Sequence, residues 1–340
     1  MGALPRPARA SRRARRLLPV LVPALLAAGC GSVPPPDDPP ASAPVRLPGS
    51  PSYDARREPA AAVLPLVPAS ATRLVVTDLD EVRTQLGVPG EGGADPAAER
   101  ADFWRRAARE APLIDAVLSR GGTGRGRTAG GALPVGVPRD DVAWRAEFSG
   151  PAGSGWVLAL HPDVDLATLA RSLHAAGKPP RAARVLAGDR LVVSGVTPDS
   201  HLSWATDPAV VHLVGEPAEA TYVHRGCLPA RTALGVPRAG LDRAVRRHLR
   251  DLAPLGGVAL AFGDHIATVR TDPGRPDLFD RLRLAAATPA GVDGFAGGFR
   301  QGVADPTTGR LGFEVPRPAL AAALVRRDEL PPAVCPSARS

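Results

Sequence analysis

Apolar and polar positions along residues 62–336 change period repeatedly, and each change predicts an element. Arg73–Thr77 (RLVVT) centres on the apolar run Leu74-Val75-Val76, which predicts a short strand. Asp78 or Asp80 is placed to cap a following helix that ends near Gly87. Asp95-Pro96 predicts a helix start, with Phe103, Trp104, Ala107, Ala108, Ala111 and Ile114 on one face and a bend at Pro112. Residues 120–131 (RGGTGRGRTAGG) read as a loop. Val142, Trp144, Ala146 and Phe148 alternate with polar neighbours, predicting a half-buried strand, and Trp156–Leu160 predicts its partner across a turn at Pro151–Gly155. Asp165 caps a helix carrying Leu166, Leu169, Ala170 and Leu173, closed by Gly177. Arg184–Leu186 and Arg190–Ser194 flank Gly188-Asp189 as a hairpin, and Val210–Val214 and Thr221–His224 read as strands.

The remainder opens with an amphipathic helix, Leu241–Leu252. A hairpin pairs Gly257–Phe262 with Ile266–Arg270 around Gly263-Asp264, and Pro276–Ala287 reads as a helix. Strands at Phe295–Val303 and Arg310–Val315 flank the turn DPTTG, and Pro318–Arg326 is the last helix. Residues 101–176 and 276–327 share the order helix, strand, turn, strand, helix, each preceded by a strand. The fold class expected is α+β: antiparallel sheets with helices packed on one face, arranged as two ferredoxin-like (split βαβ) subdomains over 62–225 and 226–340.

The first 61 residues follow other rules. Residues 1–29 run from six arginines through a 12-residue apolar core, LLPVLVPALLAA, to small residues. This is the layout of a secretory signal, and the core is too short to span a bilayer comfortably. The run Leu25-Leu26-Ala27-Ala28-Gly29-Cys30 resembles the lipobox of bacterial lipoproteins. That resemblance implies removal of residues 1–29, acylation of Cys30, and a membrane anchor at the extracytoplasmic face of the cell membrane. Ala27 stands where that family prefers Leu. Arg12-Arg13 and Arg15-Arg16 leave the twin-arginine export route open beside the general one. Residues 30–61 hold nine prolines and no apolar period, which reads as a semi-rigid tether. The stretches VPASATRLVVTDLDEVRTQLG and DDVAWRAEF, with Cys335 near the end, are similar to uncharacterised actinobacterial secreted lipoproteins. The preponderance of arginine over the single lysine, Lys178, fits a GC-rich genome of that kind.

Composition changes this picture little. The net charge of +8 owes six positive charges to residues 1–29, and the remainder carries only +2. The basic balance is therefore no footprint of nucleic-acid binding, and no nucleic-acid partner is expected. Of the cysteines Cys30, Cys227 and Cys335, assigning the first to the anchor leaves an even pair, which reads as a Cys227–Cys335 disulfide in an exported chain. Two buried thiols or a reactive pair are the alternatives.

Chemistry is harder to find. Asp78-Leu79-Asp80-Glu81-Val82 after an apolar strand is similar to the aspartate motif of the haloacid dehalogenase superfamily. That resemblance implies Asp78 as phosphoryl nucleophile, Asp80 as acid/base and Mg²⁺ between them; Asp140 and Asp141 are further candidate metal carboxylates, though they sit where a turn into a strand is expected, and helix capping explains Asp78 and Asp80. His212, His224 and Cys227 form a weak zinc set, and the other histidines are scattered. No G-x-S-x-G elbow or P-loop occurs in the chain. Arg243, Arg246, Arg247 and Arg250 give the 241–252 helix a basic face suited to anionic headgroups or acidic wall polymer. No cofactor or metal is expected. The function read from the sequence is a non-enzymatic, lipid-anchored envelope protein that binds a ligand or a protein partner. The alternatives are a metal-dependent, phosphatase-like hydrolase using Asp78 and Asp80, and a structural interaction module.

Overall fold

A computed structural model describes residues 51–88, 96–111, 137–175, 183–197, 199–235, 243–287 and 294–336. Cys30 with the signal region, most of the tether, the 120–131 loop, Gly177 and Lys178 lie outside these residues. Residues 48–340 form one compact unit.

The class is α+β. Ten strands make one antiparallel sheet: β1 (Arg73–Asp78), β2 (Val142–Gly150), β3 (Gly153–Leu160), β4 (Arg184–Leu186), β5 (Leu191–Ser194), β6 (Ala220–Arg225), β7 (Gly257–Gly263), β8 (Ile266–Arg270), β9 (Arg300–Asp305) and β10 (Arg310–Glu314). The helices are α1 (Pro59–Ala62), α2 (Leu79–Gln85), α3 (Ala97–Glu110), α4 (Leu166–Ala175), α5 (Pro208–Val211), α6 (Ala230–Ala233), α7 (Arg243–Asp251), α8 (Leu278–Ala287), α9 (Phe295–Gly298) and α10 (Pro318–Arg326).

The strand order, β4-β5-β3-β2-β1-β6-β7-β8-β10-β9, has the same connectivity read outward from its centre in either direction. In each half a central strand is followed by a hairpin (β2–β3, β7–β8), then a helix (α4, α8), then a second hairpin (β4–β5, β9–β10). The last strand of each set inserts between the two that flank the helix, which is the split βαβ connection. Both helices are ten residues long and begin directly after an aspartate, Asp165 or Asp277. The repeat expected between 101–176 and 276–327 is thus offset: the hairpin at 142–160 corresponds to that at 257–270. The central strands β1 and β6 pair with each other, Val75 opposite Tyr222, so both halves share one sheet.

Burial follows strand alternation. On one face Leu74, Val76, Ala146, Val157 and Val193 form a core with residues 60–67, Trp204, Val210 and Leu213. The last residues of the expected tether therefore belong to the folded body, and Tyr53 packs against Trp144 with ring centroids 6.3 Å apart. The opposite face carries the longer helices over two clusters. Phe103, Trp104, Leu158 and Val192 lie in one, and Leu260, Val269, Leu284, Phe313 and Val325 in the other. A polar seam crosses the centre, where the Tyr222 hydroxyl donates to Asp328 at 2.9 Å and the Arg73 guanidinium sits over the Tyr222 ring.

Three local expectations are corrected. Val210–Val214 is not a strand: Asp207 caps a short helix whose first residue is Pro208, and that proline favours a helical start. Phe295–Gly298 is a helical turn, so β9 begins only at Arg300; Phe295 stacks on Phe299 at 4.5 Å, a contact that one turn permits. The register of β2 shifts between Val142 and Trp144, which turns Val142 into the helix-side core, away from Trp144, Ala146 and Phe148. Helix α3 ends at Glu110, and the expected bend at Pro112, with Ile114, lies outside the described residues.

The C-terminal segment is fastened twice. Cys227 and Cys335 are disulfide-bonded, and Leu228 exchanges backbone hydrogen bonds with Ala333 and Cys335. Beside this, Arg281 on α8 is fully buried and donates to Asp277, Ala253 O, Pro332 O and Val334 O. Arg275 donates to the same carboxylate and also to Ala253 O and Pro254 O. Burial pulls the Arg281 pKa down to about 10, which leaves it charged at neutral pH. Burial opposes ionisation of Asp277, but its two arginines and the Ala253 amide hold it below its ordinary value. Replacing Arg281 with Met strips Pro332 O and Val334 O of this donor and Asp277 of one of its two arginines, and is expected to cost about 3–5 kcal/mol in urea unfolding. The double change Cys227→Ala, Cys335→Ala is expected to cost about 2–4 kcal/mol. A loss below ~1 kcal/mol for Arg281→Met would show that the network merely tolerates its charges.

Candidate functional site

Of the sequence-derived residues, Asp78 and Asp80 lie where β1 and β7 end and β6 begins. Asp78 closes β1, and its Oδ1 accepts the amide hydrogens of Asp80 and Glu81, each at 3.0 Å. This is an N-cap of α2, so the carboxylate faces its own helix. Burial raises the Asp78 pKa to about 6, and the charges of Asp80 and Glu81 add to the rise. Asp80 accepts from Arg83 at 2.6 Å and lies 3.4 Å from His161 Nε2. Arg83 is itself buried, with its guanidinium over the Phe103 ring. Both strands beside β1 run antiparallel to it, which is not the parallel sheet of the dehalogenase pattern. Asp140 is engaged by Trp104 Nε1 at 2.5 Å and Arg100 at 3.1 Å, so it does not join Asp78 and Asp80.

The zinc set does not assemble. Cys227 is consumed in the disulfide, His212 lies 3.4 Å from Asp272, and His224 contacts Gly226 O at 3.5 Å. Burial lowers the His224 pKa. Among the described residues no group of three or more His, Cys, Asp or Glu is placed to hold a metal ion. On α7, Val245 and Leu249 are buried while Arg246, Arg247 and Arg250 are exposed, as the amphipathic pattern requires. No described helix is long and apolar enough to cross a membrane.

Beside Asp78 lies a groove that the sequence did not reveal. Its floor is Glu219, the residue before β6, only 6% exposed. The Glu219 backbone is clamped: its N–H donates to Phe262 O at 2.8 Å, and its carbonyl accepts from Asp78 N at 2.9 Å. Its Oε1 accepts the Asp264 amide at 3.1 Å. Burial raises the Glu219 pKa, partly offset by that amide and by His265, while Glu81 adds a like charge.

Asp264 and His265 form the two-residue turn between β7 and β8, both left-handed, with φ of 49° and 59°. A tight hairpin demands that backbone, and Asp and His tolerate it better than most residues, at a cost of about 1–3 kcal/mol each. Val315 N donates to His265 O at 2.7 Å and fixes the turn against the end of β10. A small cell of about 10 Å³ sits above Glu219, walled by Phe262, Ile266 and Pro318. A wider cavity of about 420 Å³ shares Glu110, His265, Ile266, Val315 and Pro318 with that cell and adds Arg109, Glu314 and Pro316. The sequence carries one trace of this site, the hairpin expected around Gly263-Asp264, whose turn falls one residue later at Asp264-His265; Glu219 looks like any loop acid.

No protein-family model matches this chain, and no curated protein or solved structure matches it.

Asp78→Asn keeps an acceptor for the two capping amides and removes a charge that burial disfavours. Native Asp78 keeps its proton up to about pH 6, whereas the unfolded chain releases it near 3.8. Between those values the native state binds more protons, so wild-type stability falls as pH rises. The variant lacks that loss. It is expected to match the wild type below pH 3.8 and to exceed it by about 1–3 kcal/mol above pH 6, measured from urea midpoints at both ends. A variant less stable at neutral pH would show that the ionised cap is net stabilising.

Proposed function

We propose that this chain is an exported envelope protein, held by a lipid anchor at Cys30 at the extracytoplasmic face of the cell membrane, whose folded body binds a ligand or a partner rather than catalysing a reaction. The Cys227–Cys335 bond supports export, because such bonds persist in oxidising compartments. The basic and apolar stretches before Cys30 support the anchor, and two or more acyl chains make it stable. The observation that carries the binding role is the contrast at the end of β1. Asp78 spends its carboxylate on a helix cap, while the neighbouring groove keeps an open mouth over a buried acid.

Three measurements test this reading. Cys30→Ser, expressed in a lipidating bacterial host, is expected to move the protein from the membrane fraction to the soluble one; an unchanged distribution removes the anchor. The full chain and its Asp78→Asn variant are expected to hydrolyse p-nitrophenyl phosphate with Mg²⁺ no faster than buffer; turnover lost in the variant would establish the hydrolase instead. Native mass spectrometry of the exported Cys30→Ser chain is expected to show a mass excess that denaturation removes. A bare monomer would shift the role to protein partners.

A further inference from the structure

The groove over Glu219 has a size gradient and an excess of acids over basic residues that together select a ligand. The inner cell, about 10 Å³, holds one water-sized group. Its floor is a buried carboxylate with one oxygen on the Asp264 amide, and its walls include Phe262 and Ile266. The Asp264 amide and His265 offset only part of the cost of burying this carboxylate, Glu110 lines the same cell, and a donor-only group of three N–H bonds offsets more of it. The wider cavity outside, about 420 Å³, is lined by Ile266, Val315, Pro316 and Pro318 together with His265, Glu314 and the ion-paired Arg109 and Glu110, the last of which also lines the inner cell. That lining covers an apolar arm, and Glu110, Glu219 and Glu314 outnumber the one arginine, which favours a cation. Metal ions fit less well, since the described residues offer no converging set of three donors. A quaternary ammonium is too wide for the inner cell and finds no aromatic cage among its lining residues.

We infer that the groove over Glu219 binds a primary ammonium attached to an apolar arm, with the ammonium in the inner cell against the Glu219 carboxylate and the arm along Ile266, Val315 and Pro318. Alkylamines and the free N-terminus of a short apolar peptide share this chemistry. The inference deepens the binding role proposed above and rests on it.

The exported full chain carrying Cys30→Ser is titrated by calorimetry and thermal unfolding with n-pentylammonium, n-pentanol, tetramethylammonium, and the dipeptide Val-Ala with a free or an acetylated N-terminus. Saturable binding is expected for pentylammonium and the free dipeptide. Pentanol and the acetylated dipeptide should bind roughly tenfold more weakly or worse, the loss of one charge-assisted hydrogen bond. The tighter of the two binders tells an alkylamine source from a peptide source. Glu219→Gln retains an acceptor for the Asp264 amide and should weaken pentylammonium by a similar factor. Ile266→Trp fills the mouth from a side chain already 43% exposed and should block binding with the fold intact, which keeps the test decisive should Glu219→Gln not fold. Equal binding of pentanol and pentylammonium, or full binding by both variants, would overturn the inference, and would mean that the inner cell holds only a structural water. Failure of every amine beside a retained mass in native spectrometry overturns the ligand class alone. Failure of both overturns the binding role as well.

Discussion

A guanidinium with no exposure to water is the hinge of the C-terminal half. Arg281 must find partners for its donors inside the protein, and it finds them on three separate pieces of chain: Asp277 at the start of its own helix, Ala253 after α7, and Pro332 and Val334 near the end. None of these pieces can shift without orphaning a buried charge. The position of α8 is thereby tied to the last residues of the fold, and the Cys227–Cys335 bond closes the same region from the side of β6. Arg275 shares the carboxylate and Ala253 O, so the arrangement behaves as one unit, and single substitutions in it will not add.

Around that anchor the sheet divides its work. Its two halves repeat one connectivity but differ in what covers them. The face lined by Leu74, Val76, Val157 and Val193 is packed by residues 60–67 and the short helices after β5. The corresponding face beyond β7 has small or polar residues, with Ala261, Thr268 and Gly312 aligned across β7, β8 and β10. The groove lies where the halves meet, between the end of α3, the β7–β8 turn and the β10–α10 connection. A junction of this kind leaves a cleft because the turn at Asp264-His265 is too tight to fill it.

What was legible in the sequence was local. Alternation at Trp144, Ala146 and Phe148 gave a strand, the Gly263-Asp264 turn gave a hairpin, and Asp165 and Asp78 gave helix caps, because each signal is carried by neighbours in the chain. The misreadings have the same origin. Val210–Val214 is as apolar as a strand, and only the Asp207-Pro208 pair before it favours a helix. Phe295–Gly298 could be separated from β9 only by knowing that Phe295 must reach Phe299 and Phe313. Arg281 lies in LFDRLRLAAA as an ordinary polar position of an amphipathic helix, and its burial depends on residues more than 50 positions away. Glu219 was hidden for the same reason: its partners are Asp264 and the end of β7, which the fold alone brings near.

The pairing of β1 with β6 has a consequence for a chain that is synthesised from the N-terminus onward. The first half can collapse as soon as β5 has emerged, yet its central strand then exposes an unpaired edge, Arg73–Asp78, in the middle of the future sheet. That edge waits for residues 220–225, and the second half must complete itself through Val334 before Cys227 meets Cys335. The most aggregation-prone moment in the folding of this protein therefore falls midway along the chain, where one strand edge stays open for the time it takes the 25 residues between Ser194 and Ala220 to arrive.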